Sequence, residues 1–144
     1  KAACLGEEFS LIMDIGGGST EFILANERGI SWKHSYQLGA ARLLERFHPS
    51  DPISPAEKRT IFDYLKNQTV ELQEAIKKFP PSELLGSSGA FDSVIEMIEG
   101  ELGGESLDES KLVYIVSLKD YKRISEKVLV STLEERKRIK GTMD

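Results

Sequence analysis

Leu11-Ile12-Met13-Asp14-Ile15-Gly16-Gly17-Gly18-Ser19-Thr20-Glu21-Phe22 is the stretch on which the reading of this chain turns. Upstream of its glycine triplet, Phe9 to Asp14 is an apolar run that reads as a strand. Downstream, Thr20 to Asn26 reads as a second strand and ends at Asn26-Glu27-Arg28-Gly29, a hairpin-turn sequence. Ile30, Trp32, His34, Tyr36 and Leu38 then alternate with Ser31, Lys33, Ser35 and Gln37, the period of a strand with one buried face. Three short strands joined by tight turns predict an antiparallel meander.

Working outward, the rest of the chain reads mostly as helix. Gly39 to Phe47 is a short helix with Ala40, Leu43, Leu44 and Phe47 on one side. Pro49, Pro52 and Pro55 punctuate the loop after it. Ser54-Pro55-Ala56-Glu57 is a helix start, with Ser as N-cap, Pro at the first helical position and Glu three residues after the cap. The stripe of Ile61, Phe62, Leu65, Thr69, Leu72, Ile76 and Phe79 predicts one helix to about Lys78, stopped by Pro80-Pro81. Glu83 to Ser87 reads as a short buried strand. A helix follows, with Phe91, Val94, Ile95 and Ile98 inward, and then a polar loop over Gly100 to Ser110. Leu112 to Val116 fits a brief strand. Ser117 and Thr132 read as N-caps of two more helices, with Asp120 and Glu135 three residues on. The pattern predicts an α/β fold with a mixed sheet, a three-strand antiparallel meander plus parallel strand, flanked by helices.

The length of 144 residues is that of one ordinary domain, and 40% hydrophobic with 30% charged residues is a globular mix rather than a disordered one. No apolar run approaches the roughly 20 residues that span a bilayer, and the first ten residues lack the apolar stretch of a secretory leader. Cys4 is the only cysteine, which excludes an internal disulfide and a multi-cysteine metal site and points to a reducing, cytoplasmic home. His34 and His48 have no metal-ligand spacing. A net charge of −5 argues against general binding to nucleic acid or an anionic membrane.

The chemistry concentrates at the glycine triplet. Bare backbone from Gly16 to Thr20 lets a ligand approach closely and lets amides converge on phosphate oxygens. Asp14, at a strand end, is placed to hold Mg²⁺, and Glu21, at the next strand's start, to orient or accept a proton from water. The same triplet also serves as a plain turn. Neither G-x-x-x-x-G-K-[ST] nor G-x-G-x-x-G is present; in the latter, Glu21 occupies the last glycine's place.

Asp14 to Glu21 between two strands resembles the second phosphate motif of the actin, sugar kinase and chaperone ATPase superfamily. Leu11 to Phe22 in full resembles one branch of it, the exopolyphosphatase / guanosine-pentaphosphate phosphatase (Ppx/GppA) family. Chaperone ATPases of the superfamily carry Thr-Phe-Asp where this chain has Ser19-Thr20-Glu21, and actin-like members break the triplet. Leu38 to Phe47 is similar to the family's segment after the third strand, and Leu85-Gly86-Ser87-Ser88-Gly89-Ala90 to its small-residue turn between strand and helix. Glu135-Arg136 with Ile139-Lys140-Gly141 is similar to its late helix and glycine turn. The resemblance covers nearly the whole chain.

What the resemblance implies is specific. The fold is a ribonuclease H-like (actin-like ATPase) domain. Residues 1–144 form a single domain, the second of a two-domain phosphatase, without the first domain, its catalytic glutamate, and the last strand and helix; a start at Lys1 rather than Met fits that expectation. Asp14 is the metal-associated carboxylate for Mg²⁺ and Glu21 the catalytic carboxylate. Gly16, Gly17, Gly18, Ser19 and Thr20, with Ser88 and Gly89, bind phosphate. The substrate is inorganic polyphosphate or guanosine pentaphosphate, and the parent is a homodimer with no nucleic-acid or membrane partner. The chain alone is expected to be inactive and, with an open sheet edge, to swap, dimerise or be marginally stable. The alternative is a phosphate or nucleotide sensor without hydrolysis; Asp14 and Glu21 together favour the enzyme. Ser19-Thr20-Glu21 disfavours an ATP-driven kinase or chaperone.

Other residues have blander readings. Arg42 reads as a solvated helical arginine, with a phosphate contact as the alternative. Arg136, Lys137, Arg138 and Lys140 read as a charged helix face rather than a rail for a polyanion. His34 reads as a packed histidine, His48 as a helix end, and Glu7 and Glu8 as exposed.

Overall fold

The computed structural model describes residues 5–103, 108, 110, 111 and 113–142. In chain order the elements are β1 (Phe9–Ile15), β2 (Thr20–Asn26), β3 (Gly29–Tyr36), α1 (Ala40–Phe47), α2 (Pro55–Gln68) and α3 (Val70–Lys78). β4 (Pro81–Ser87), α4 (Gly89–Leu102), α5 (Leu118–Val130) and α6 (Leu133–Arg136) complete the set. They group into two compact units, one made of Lys1–His48 with Lys58–Ser88, the other of Pro49–Glu57 with Gly89–Asp144.

The first unit holds a four-stranded sheet in the order β3-β2-β1-β4. β1 to β3 form the expected antiparallel meander, and β4 lies parallel to β1. The hairpin turn closes as its sequence predicts: the Arg28 N–H donates to Asn26 Oδ1 at 3.0 Å, and Gly29 takes φ 122°, a value that side chains resist. One sheet face is apolar. Leu11, Met13, Phe22 and Trp32 meet Leu43 of α1, Tyr64 and Leu65 of α2, and Leu72 and Ile76 of α3 around buried Tyr36 and Leu38. Phe22 and Tyr36 pack edge to face at 6.0 Å. Each buried large side chain stabilises the unit by roughly 1.5–3 kcal/mol.

Tyr36 has a second task. The Leu72 N–H, in the first turn of α3, donates to its phenol oxygen at 3.1 Å. The residue before that helix, Thr69, makes no side-chain cap bond, so a tyrosine from the sheet satisfies an amide that a helix start leaves unpaired. Thr69 also explains why the expected helix to Lys78 is two helices. Its φ of −115° and ψ of 33° leave the helical range, while its hydroxyl donates back to the Leu65 carbonyl at 2.9 Å. The Gln73 side-chain Nε2 then donates to the freed Lys66 carbonyl at 2.7 Å.

β4 is not the buried strand expected for Glu83 to Ser87. It starts at Pro81 and is the outer strand beside β1, so most of it is exposed; Leu84 keeps 55% of its surface. Pro81 is tolerated there because an outer strand has one side without a ladder.

In the second unit, Ser117 accepts the Asp120 N–H at the start of α5, and Thr132 with Glu135 forms a reciprocal capping box at α6. Residues 113–116 are not strand, and Leu112 lies outside the described residues. α4 runs on to Leu102 past Gly100, where a loop was expected, and an added Cβ at Gly100 would lie 3.0 Å from the Lys140 side chain. Asp51 accepts the Leu133 N–H at 2.7 Å and the Arg136 guanidinium at 2.6 Å, tying the segment before α2 to α6. Glu57 closes the predicted box with Ser54 and accepts from Ser50 as well.

Two outcomes follow. Tyr36→Phe should cost about 1 kcal/mol in urea unfolding, because it orphans the Leu72 amide. The hydroxyls of Ser50 and Ser54, then their backbone amides, lower the Glu57 carboxyl from its ordinary 4.5 to about 2. The stabilisation this bonding supplies is therefore complete above about 4.5 and lost as pH falls through about 2. Carboxyl-carbon NMR of Glu57 in the folded protein should titrate near the lower value; a midpoint at the ordinary one would contradict the geometry.

Candidate functional site

The turn between β1 and β2 is seated on the start of α1. The Ala40 N–H donates to the Gly16 carbonyl at 2.9 Å, the Arg42 N–H to the Gly17 carbonyl at 3.2 Å, and the Gly39 N–H to the Gly18 carbonyl at 3.2 Å. Helix starts leave such amides without internal acceptors, so the docking satisfies both partners. Arg42 is exposed, as expected, and adds its Nε, which donates to the Gly18 carbonyl at 3.0 Å. The contact is very close. A Cβ on Gly39 would lie 2.3 Å from the carbonyl carbon and oxygen of Gly17 and 2.5 Å from that of Gly18, so only glycine fits.

This docking decides where the amides point. In a trans peptide the N–H is antiparallel to the C=O. With the carbonyls of Gly16, Gly17 and Gly18 aimed at α1, the N–H groups of Gly17, Gly18 and Ser19 aim away from it. Among the described residues no acceptor meets these three amides. Gly16 differs from expectation: its N–H is used within the turn, donating to the Ser19 carbonyl at 2.9 Å. Neither Gly17 nor Gly18 takes a left-handed φ. A Cβ at Gly18 would meet nothing within 4 Å, and one at Gly17 only Ala41 at 3.8 Å. The turn's own geometry therefore does not require these two glycines. What they provide is exposed backbone that a ligand can approach.

The carboxylates stand beside this turn. Asp14 and Glu21 are directly opposite on β1 and β2, and so share one sheet face with Cβ atoms about 5 Å apart. Ser35 of β3 is opposite Glu21, and Ser87 of β4 opposite Asp14, giving a polar row across all four strands. Glu21 Oε1 accepts from the hydroxyls of Ser19 and Ser35, each at 2.6 Å. These two donors, Ser19 first, hold the Glu21 carboxyl below its ordinary range. Among the described residues nothing hydrogen-bonds the Asp14 side chain.

The remaining candidates are placed differently. Thr20 points into the opposite, apolar face, where its hydroxyl is buried and donates to the Leu38 carbonyl at 3.1 Å. That hydroxyl serves the link between β3 and α1. Ser88 ends the first unit at φ 92°, a strained value for a side-chain-bearing residue, and its hydroxyl donates to the Ile15 carbonyl at 3.4 Å. Gly89 opens α4 in the second unit. Arg136, Lys137 and Lys140 pair with Asp51, Glu134 and Glu99, as a charged helix face would. His34 stacks between Trp32 and Tyr36. Two site residues, Gly39 and Ser35, were not singled out from the sequence. Both sit in segments that looked structural.

Residues 2–144 match the family model of the Ppx/GppA phosphatase family. The chain belongs to that family. A crystal structure of an exopolyphosphatase from Cytophaga hutchinsonii matches with a TM-score of 0.92 and 37% identity, over 99% of this chain and 46% of that one. A bifunctional 3-dehydroquinate synthase/phosphatase of Fusobacterium nucleatum is 35% identical over 92 residues, which are 62% of this chain and 14% of the relative. A guanosine-5'-triphosphate,3'-diphosphate pyrophosphatase of Pseudoalteromonas atlantica is 28% identical over 110 residues, 76% of this chain and 21% of the relative. The chain thus spans less than half the length of each. Its mixed sheet flanked by helices is the actin-like fold of this family.

Gly39→Ala should destabilise the protein by roughly 2 kcal/mol in urea unfolding, because neighbouring backbone must move. Gly18→Ala should stay within about 0.5 kcal/mol of the parent. Equal losses at the two sites would contradict the division between packing glycine and open glycine.

Proposed function

We propose that this chain is the second domain of a two-domain phosphatase that hydrolyses a terminal phosphoanhydride of inorganic polyphosphate or guanosine pentaphosphate. The observation that carries this reading is the meeting of two features at one end of the sheet. Three unpartnered amides of Gly17, Gly18 and Ser19 lie next to the opposed carboxylates of Asp14 and Glu21. The names of the relatives support the substrate class.

The three amides are donors preorganised by α1, so they take up charge on a phosphoryl group with no further rearrangement. Asp14 fits a hard cation. It is an oxygen donor with no hydrogen-bond partner among the described residues, and Mg²⁺ commonly takes one or two carboxylates with phosphate and water completing the shell. No group of three or more His, Cys, Asp or Glu side chains gathers among the described residues, which suits a cation shared with substrate rather than a protein cage. Bound there, Mg²⁺ would offset charge on the phosphoryl oxygens. Glu21, held ionised by two hydroxyls, is a weak base. It is suited to orient a water through Oε2, with a second carboxylate from the partner domain taking the proton. The water oxygen bonds to phosphorus, the bridging P–O bond breaks, and the shortened chain leaves on its oxygen.

The test is phosphate release from long-chain polyphosphate, and separately from guanosine pentaphosphate, by the full-length protein with Mg²⁺. Glu21→Gln should lower turnover about 100-fold or more while phosphate binding persists. Equal loss of binding would assign Glu21 a structural role. Tight binding by the unaltered protein without release from either substrate would favour a sensor.

A further inference from the structure

We propose that Ser35 is a positioning residue for the reaction: its hydroxyl, delivered from β3, locks the Glu21 carboxylate in the one orientation that presents Oε2 to the attacking water. The inference rests on the function proposed above and deepens it.

The geometry separates the two donors to Glu21. Ser19 sits in the glycine turn, two residues before the carboxylate that it contacts. Ser35 sits in a ladder, opposite Glu21 in the β2–β3 register. The terminal torsion of a glutamate is broad and two-fold, so a single donor leaves the carboxylate free to swing. Two donors on Oε1, arriving from different elements, remove that freedom, and among the described residues no side-chain hydroxyl occupies Oε2. Ser35 is exposed, so its hydroxyl is not needed to fill the core. A strand would accept any small residue at this point, and threonine better than serine. The placement depends on one irregularity. The ladder shifts by one residue between Leu24 and Ala25, and without that shift His34 would stand opposite Glu21.

The experiment uses the full-length protein with Ser35→Ala, Ser35→Thr and the double variant Ser35→Ala/Glu21→Gln. Ser35→Ala should lower kcat about tenfold with KM within about twofold. Ser35→Thr, which keeps the hydroxyl, should recover most of that loss. In the Glu21→Gln background the change at Ser35 should have little further effect, because the group it positions is altered. A loss that falls on KM, is not rescued by threonine, or adds in full to Glu21→Gln would overturn the proposal. A crystal structure of Ser35→Ala gives a readout independent of turnover. The Glu21 carboxylate should occupy more than one orientation, and an unchanged single orientation would overturn the proposal even in a protein that hydrolyses nothing. Absence of phosphate release by the unaltered protein would instead count against the proposed function alone.

Discussion

The docking of the β1–β2 turn onto the first turn of α1 is the constraint on which the site depends. It joins two sets of groups that would each be costly to leave unpaired: the leading amides of a helix and the carbonyls of a glycine turn. The fit requires backbone against backbone, so the decisive glycine lies outside the triplet, at Gly39. Once the carbonyls are committed to α1, peptide planarity turns the alternate amides outward. The helix start therefore orients the outward amides without touching them. Its donors, with Arg42, polarise peptides whose other ends face away from the helix.

Strand alternation then divides adjacent residues between unrelated tasks. Thr20 and Glu21 are neighbours in sequence and stand on opposite faces of β2. The first hydrogen-bonds into the buried face, and the second joins the polar row of Ser35, Asp14 and Ser87. The helices that pack on the apolar face never compete with the carboxylates for space. Moving the pairing by one residue would exchange the faces and destroy core and site together.

The second unit shows how local pairing settles a cluster that composition leaves ambiguous. Arg136, Lys137 and Lys140 look like a basic patch in the sequence. In the structure, carboxylates from three different segments meet them: Asp51, Glu134 and Glu99. Gly141, at φ 82°, is pressed against Ser93 and Glu96 of α4, so the end of this segment is set by packing rather than by charge.

Elements set by local chemistry were legible from the residues alone. The meander followed from alternation and from Asn26-Glu27-Arg28-Gly29, and the starts of α2, α5 and α6 from Ser54, Ser117 and Thr132 with their acidic partners. Asp14, Glu21 and the open backbone between them stood out because few plain turns need three glycines between two carboxylates. What the sequence could not decide depended on distant groups. Thr69 breaks a helix whose apolar stripe continues through it, and the restart relies on Tyr36, a residue 36 positions from Leu72. β4 is exposed because of its place in the sheet order, not its composition. Gly39 matters only because another segment lies against it, and Ser35 faces Glu21 only because of a one-residue shift in the ladder. Local sequence thus determined the elements and the carboxylates they carry; long-range contact decided which amides stay free and which hydroxyl holds Glu21, because both depend on groups brought together only by folding.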